Sequence, residues 1–262
     1  MKQKTRNWAL ATTLLASSAI GHVHAAEKAY WTLGTGMDYS TGKYGSTSTT
    51  ESLSIPFFAQ YGTNIWSLGL TVPYLQVTGD GTVIVSGRQT GRRTTTASTS
   101  KRTTQSGLGD VLATASRNLV SIEESNIGID LAGRIKFGTA SKNMGSGLND
   151  YAVQVSAFSY YGNFSPRIML GYEVLGDTPD LPLNNVAYGA VSSSYFISDS
   201  TSAGMEYKYG QRASATGFEQ RELNFYASHR FGTNNFFRLY VMQGFSDGSP
   251  DSGFGLSVST GF

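Results

Sequence analysis

The chain contains no cysteine, which excludes a disulfide scaffold, a thiolate zinc site and a cysteine nucleophile. It has only three histidines, and His22 and His24 lie within the first 25 residues. His229 alone is left for the body of the protein, too little for a multi-histidine metal site or a triad with a spare base. Charged residues are only 15% of the chain, 20 Lys and Arg against 18 Asp and Glu, so no concentrated basic face is available for nucleic acid. Long apolar runs are missing too. After residue 25 nothing approaches the ~18 consecutive apolar residues of a membrane-spanning helix.

What is present begins with an export signal. Lys2, Lys4 and Arg6 form a positive segment, Trp8 to Ile20 is a short apolar stretch, and Val23-His24-Ala25 ends in a small-x-small cleavage site. Residues 1–25 are therefore expected to be removed as a secretory signal peptide, leaving 26–262 as one domain. The mature chain then carries 17 basic and 18 acidic residues.

Glycine, with 31 residues, and 29 Tyr and Phe dominate the composition, and beyond the export signal they are arranged in alternation. In the last nine residues Phe254, Leu256, Val258, Thr260 and Phe262 share one parity, and Gly255, Ser257, Ser259 and Gly261 the other. Such segments of about ten residues, the length a tilted strand needs to cross a bilayer, recur twelve times, near 30–40, 50–61, 64–77, 108–119, 126–138, 149–161, 163–175, 186–197, 202–211, 220–231, 235–245 and 253–262. In the fifth, Asp130, Arg134 and Lys136 sit between Ile129, Leu131, Ile135 and Phe137. Charges so placed must face a wet interior. Breaks alternate between short ones, such as Gly62-Thr63 and Gly162, and longer ones rich in Gly, Ser, Asp or Asn. Outer-membrane barrels have this asymmetry of short periplasmic turns and longer outer loops. The fold class expected is all-β, a transmembrane antiparallel up-and-down barrel of twelve strands. Trp31, Tyr61, Trp66, Tyr74, Tyr151, Tyr160, Tyr161 and Phe231, near strand ends, suit interfacial aromatic girdles.

Several stretches resemble a known family. Ser106-Gly-Leu-Gly-Asp110 leading into VLATASRNL, Lys136-Phe-Gly-Thr-Ala-Ser-Lys followed by GSGLNDYAVQVS at 145–156, Gly171-Tyr172 and the terminal strand are similar to the outer-membrane proteins of the MetA-pathway of phenol degradation family. The resemblance covers most of residues 105–262. It departs in the 136–142 motif, where Gly138-Thr139-Ala140 replaces a proline-containing version. It implies an outer-membrane barrel acting as a channel or transporter, with Phe262 read by the barrel-insertion machinery.

Chemistry-bearing motifs are scarce. His229 shares the outward parity of Leu223, Phe225, Ala227 and Phe231, away from any nucleophile. Gly107-Leu-Gly-Asp110 lacks the third glycine of a dinucleotide fingerprint. Asp247 to Asp251 lacks the spaced ligands and final Glu of a calcium loop. No enzyme activity, metal or cofactor is expected. The partners expected are membrane lipid and lipopolysaccharide, the insertion machinery and a small-molecule substrate of unassigned identity. Residues 78–107 form a long outer loop with Arg88, Arg92, Arg93, Lys101 and Arg102 against Asp80, which suits phosphates of the outer leaflet, an inward fold that constricts the lumen, or a solvated loop rich in Thr, Ser and Gly.

With apolar positions turned outward, the lumen-lining candidates are Asp38, Asp110, Asp130, Arg134, Lys136, Arg167, Glu173, Glu206, Lys208, Glu222, Arg230 and Arg238, six acids and six bases. Inward Phe58, Phe158, Tyr160, Phe236 and Tyr240 are expected to narrow the space. Lys208 and Glu222 are expected to pair across a hairpin. The functional expectation is a passive channel for small molecules, hydrophobic or aromatic ones among them. The alternative is a plugged barrel acting through its outer loops.

Overall fold

A computed structural model describes residues 29–80, 102–121, 126–142, 144–179 and 182–262. The export signal at 1–25 and most of the loop expected at 78–107 lie outside them. Among the described residues thirteen strands form one sheet: β1 (Tyr30–Gly42), β2 (Thr50–Gly62), β3 (Trp66–Gly79), β4 (Thr103–Leu108), β5 (Val111–Val120), β6 (Gly128–Phe137), β7 (Asp150–Phe158), β8 (Phe164–Val174), β9 (Val186–Phe196), β10 (Thr201–Gly210), β11 (Gln220–Phe231), β12 (Asn235–Gly244) and β13 (Ser252–Gly261). The ladders are antiparallel throughout, and β1 pairs with β13, so the sheet closes into a barrel. At the seam Trp31 N donates to Phe262 O at 3.3 Å, and Phe262 N donates to Trp31 O at 2.8 Å. Closure removes both sheet edges, whose bare amides and carbonyls would be costly in hydrocarbon.

The strand count reconciles with twelve because β4 and β5 are two halves of one stave. Both pair with β3, β4 against Tyr74–Gly79 and β5 against Trp66–Thr71. The fourth stave thus begins at Thr103 rather than near 108, and part of the expected loop is strand. Between the halves the inward side passes from odd positions, with Gly107 beside Leu75, to even ones, with Asp110, Thr114 and Ser116. One extra residue switches parity in this way, as in a β-bulge. The reason lies across the ladder. Pro73 has no N–H to offer, and its carbonyl instead accepts from Gly109 N at 2.8 Å. Pro56, directly opposite Pro73, is served from its other side by Thr35 Oγ1, which donates to the Pro56 carbonyl at 2.9 Å.

Outward residues form an apolar belt, with Phe57, Leu68, Leu70, Val153, Ile168, Leu170 and Val191 all exposed. Aromatics border it. Trp31 and Tyr61 sit 5.1 Å apart, and the Arg117 guanidinium lies 5.0 Å above the Trp66 ring at the short-turn end. Tyr39 and Phe254 sit 5.5 Å apart toward the other end. Tyr160 is the exception among the expected girdle residues, because it turns inward against Phe158 and Phe196.

Aromatics on the inner face follow one rule. Six of them stand directly opposite a glycine of the adjacent strand: Tyr30 and Gly62, Phe58 and Gly34, Phe158 and Gly128, Tyr188 and Gly171, Tyr226 and Gly204, Tyr240 and Gly255. In each pair a Cβ on the glycine would fall 2.2–2.5 Å from a ring atom, so the ring lies against the bare backbone. Gly171→Ala is therefore expected to lift the Tyr188 ring off the wall and destabilise the barrel by about 1–3 kcal/mol in urea unfolding from detergent. Gly133→Ala, whose Cβ would meet only the Ala152 carbonyl at 3.9 Å, is expected to be neutral.

Candidate functional site: the barrel interior

Alternation determines what lines the interior. The structure places all twelve charged candidates on the inward face, and adds Asp150, only 2% exposed. Asp150 shares the parity of Gln154 and Phe158, a signal available in the sequence. The inward charges are gathered into separate clusters.

At the long-loop end Lys136 Nζ sits 3.2 Å from Asp110 Oδ2 and 2.7 Å from Asp150 Oδ2, with all three residues buried. The other carboxylate oxygens hold backbone. Ala140 N donates to Asp110 Oδ1 at 3.0 Å, and Gly176 N donates to Asp150 Oδ1 at 2.9 Å. The described residues of 138–149 are thereby drawn against β4, where Ser141 N donates to Leu108 O at 2.8 Å and Leu108 N donates to Ser141 Oγ at 3.0 Å. Val111 N donates to Thr139 Oγ1 at 3.0 Å. Met144 from this segment is buried against Leu75 and Val77 of β3. One step further in, Arg134 Nη2 meets Glu173 Oε1 at 2.7 Å. Tyr44, in the first long loop, has its hydroxyl pushed above the ordinary tyrosine range by burial, with Glu222 and Asp251 adding to the effect and a bond with Ser40 opposing it.

Toward the short-turn end Arg167 Nη2 meets Asp130 Oδ2 at 2.9 Å, and Asn118 Nδ2 donates to Asp130 Oδ1 at 2.9 Å. The Arg167 guanidinium also lies 5.2 Å above the Phe158 ring, which belongs with Tyr160 and Phe196. Arg230 is at the rim, its Nη2 3.3 Å from the Asp199 carbonyl oxygen. His229 faces outward and is exposed, its Nδ1 2.9 Å from Thr201 Oγ1.

On β10, Lys208 Nζ lies 3.2 Å from Glu206 Oε1. Lys208 and Glu222 are register partners, yet the ion pair that forms is along the strand with Glu206, two residues away on the same face. This corrects the cross-hairpin expectation. Tyr240 donates its hydroxyl to Asp38 Oδ1 at 2.7 Å across the narrow β13, where Gly255 leaves room. The Arg238 guanidinium lies 4.2 Å above the Tyr226 ring, and the Tyr226 and Ser194 hydroxyls are bonded at 2.7 Å. Tyr226 was absent from the expected lumen set although it shares the parity of Glu222 and Arg230.

The facing wall, β13 through β1, β2, β3 and β5, is lined by small groups such as Gly34, Ser54, Gly69, Thr71, Thr114 and Ser257. The interior is therefore lopsided. Most of the long charged and aromatic side chains stand on one side, and mainly glycine and hydroxyl groups on the other, with Tyr30, Asp38 and Phe58 among the larger groups there. Among the described residues no cluster of three or more His, Asp or Glu is placed to hold a metal ion.

A closed antiparallel barrel with an apolar outer belt and a charged interior defines the outer-membrane barrel class. An outer membrane channel from Pseudomonas putida F1 superposes with a TM-score of 0.69 at 13% identity, covering 94% of this chain and 100% of that one. The KdgM porin superposes with a TM-score of 0.51 at 12% identity, covering 88% of this chain and 99% of that one. No protein-family model matches the chain, and a search of curated proteins finds no relative. The resemblance to the MetA-pathway family thus rests on its motifs in residues 105–262.

Lys136→Met would leave the Asp110 and Asp150 carboxylates facing each other without a cation. A loss of about 3–5 kcal/mol is expected, as for a buried charge stripped of its partner. Urea unfolding in detergent would measure it, with Lys43→Met on the exposed first loop as the neutral reference.

Proposed function

We propose that the protein is a passive outer-membrane channel for small solutes, with the short turns in the periplasm and the long loops outside. One observation supports this reading above the others. Six inward aromatic rings lie against glycines, and the wall from β13 to β5 carries mostly small groups, so bulk is kept low on one side of the lumen. Eight-stranded barrels are filled by side chains and sixteen-stranded ones hold wide water channels; twelve strands give an intermediate, narrow path. The similarity in fold to an outer membrane channel and a porin agrees with this reading.

For substrate class, the motif resemblance favours hydrophobic or aromatic molecules, and the ion-paired lumen favours those that also carry a polar group. Membrane lipid and lipopolysaccharide would surround the belt. The exposed ring of Phe262 beside the closing seam is available to insertion machinery. A plugged barrel acting through its loops is the competing reading, favoured by the seating of Met144 on β3 and Ser141 on β4.

Liposome swelling with sugars, amino acids and phenolic acids distinguishes the two. Flux of at least one class is expected, together with small conductance and weak ion selectivity in planar bilayers, because most inward charges are neutralised in pairs. Intact, heat-modifiable barrels that pass none of the solutes would establish the plugged reading instead.

A further inference from the structure

Building on the channel reading, we propose that Arg238 forms a binding site for small organic carboxylates within the lumen. The inward cations differ in how far they are already satisfied. Arg134, Lys136, Arg167 and Lys208 each lie within 3.2 Å of a carboxylate oxygen, and Arg230 is at the rim near a carbonyl. Among the described residues Arg238 has no ion pair with a carboxylate, and its Nε has no hydrogen-bond acceptor.

Its surroundings hold it ready for one. The guanidinium is stacked at 4.2 Å on Tyr226, and the Tyr226 hydroxyl is anchored to Ser194 Oγ at 2.7 Å and Ser193 O at 3.3 Å. One face of the guanidinium is thus occupied while its donor edge is left unspent, which is the edge that recognises carboxylates. Ser228 is the direct register partner of Arg238, and its hydroxyl also lacks a partner. Two neighbouring donors on paired positions therefore go unmatched, at a free-energy cost that an incoming anionic oxygen would offset. On the other side the register partner is Ser257, a short side chain of the small-residue wall. Arg238 is the fourth residue of β12 counted from the short-turn end, as Arg167 is of β8, and unlike Arg167 it meets no carboxylate of the described residues within ion-pair distance.

The test needs a readout that does not depend on flux. Saturation-transfer NMR on the folded full chain in detergent, with propionate and propionamide as probes, compares a carboxylate with its uncharged analogue. Propionate is expected to bind at least about tenfold more tightly than propionamide, the margin of a charge-assisted pair over a neutral one. Arg238→Gln should reduce propionate to the level of the amide, and Arg238→Lys should retain part of the preference. Equal binding of the two probes by the wild type, or unchanged propionate binding in folded Arg238→Gln, overturns the site. If Arg238→Gln does not fold, Ser228→Ala must weaken propionate binding, and no change there overturns the site equally. Planar-bilayer current separates the two readings. A wild-type barrel that binds propionate but never conducts removes the channel and leaves the site, and one that conducts without preferring propionate does the reverse.

Discussion

The hydrogen-bonding demand of the backbone in hydrocarbon governs this structure. A strand edge facing lipid has no water to satisfy its N–H and C=O groups, so the chain must return to its own beginning. The bonds between Trp31 and Phe262 make that return. The same demand explains the repairs near the two prolines. Thr35 serves the Pro56 carbonyl with its hydroxyl, and Gly109 serves that of Pro73 at the point where the fourth stave divides. Thr139 and Ser141 lie against β4 and the start of β5 for the same reason, since their hydroxyls accept from the Val111 and Leu108 amides and Ser141 N donates to the Leu108 carbonyl.

Once closed, the barrel separates two solvents, and charge follows. The inward residues of β6 to β8 and β10 to β12 carry most of the ionic groups, and most are neutralised within hydrogen-bonding distance. Lys136 links the start of β5, the end of β6 and the start of β7 through two carboxylates, and those carboxylates hold the backbone at Ala140 and Gly176. A buried ion pair does little for net stability on its own, but removing one member exposes the full cost of the other. The long-loop end is therefore ordered by a few charges, and the belt by the apolar contact of the outward face with lipid.

Much of this was legible in the sequence because alternation is a strong signal when both faces have distinct solvents. Strand positions at Trp66 to Tyr74 and Phe254 to Phe262 follow from parity, as does the inward direction of Asp130, Arg134 and Lys136. Parity fails where the chain departs from two-residue repetition. The extra residue at Gly109-Asp110 hides the first half of the fourth stave, and the inward seating of Met144 depends on contacts with Leu75 and Val77 that have no local signature. Pairing partners were also out of reach. Lys208 stands opposite Glu222 in the ladder, yet side-chain reach along the strand gives it to Glu206.

Parity has a further blind spot, and the aromatic and glycine pairs cover it. Sliding one strand past the next by two residues keeps every apolar side chain outward and every charge inward, so the two-solvent pattern cannot oppose it. The rings can. A two-residue slip would set Tyr188 against Met169 or Glu173 instead of Gly171, and Tyr226 against Ser202 or Glu206 instead of Gly204. At Tyr188 and Tyr226 only the observed alignment offers the ring a vacant backbone. The glycines thus act as keyways that fix the stagger of the staves, and with it the tilt and bore of the barrel.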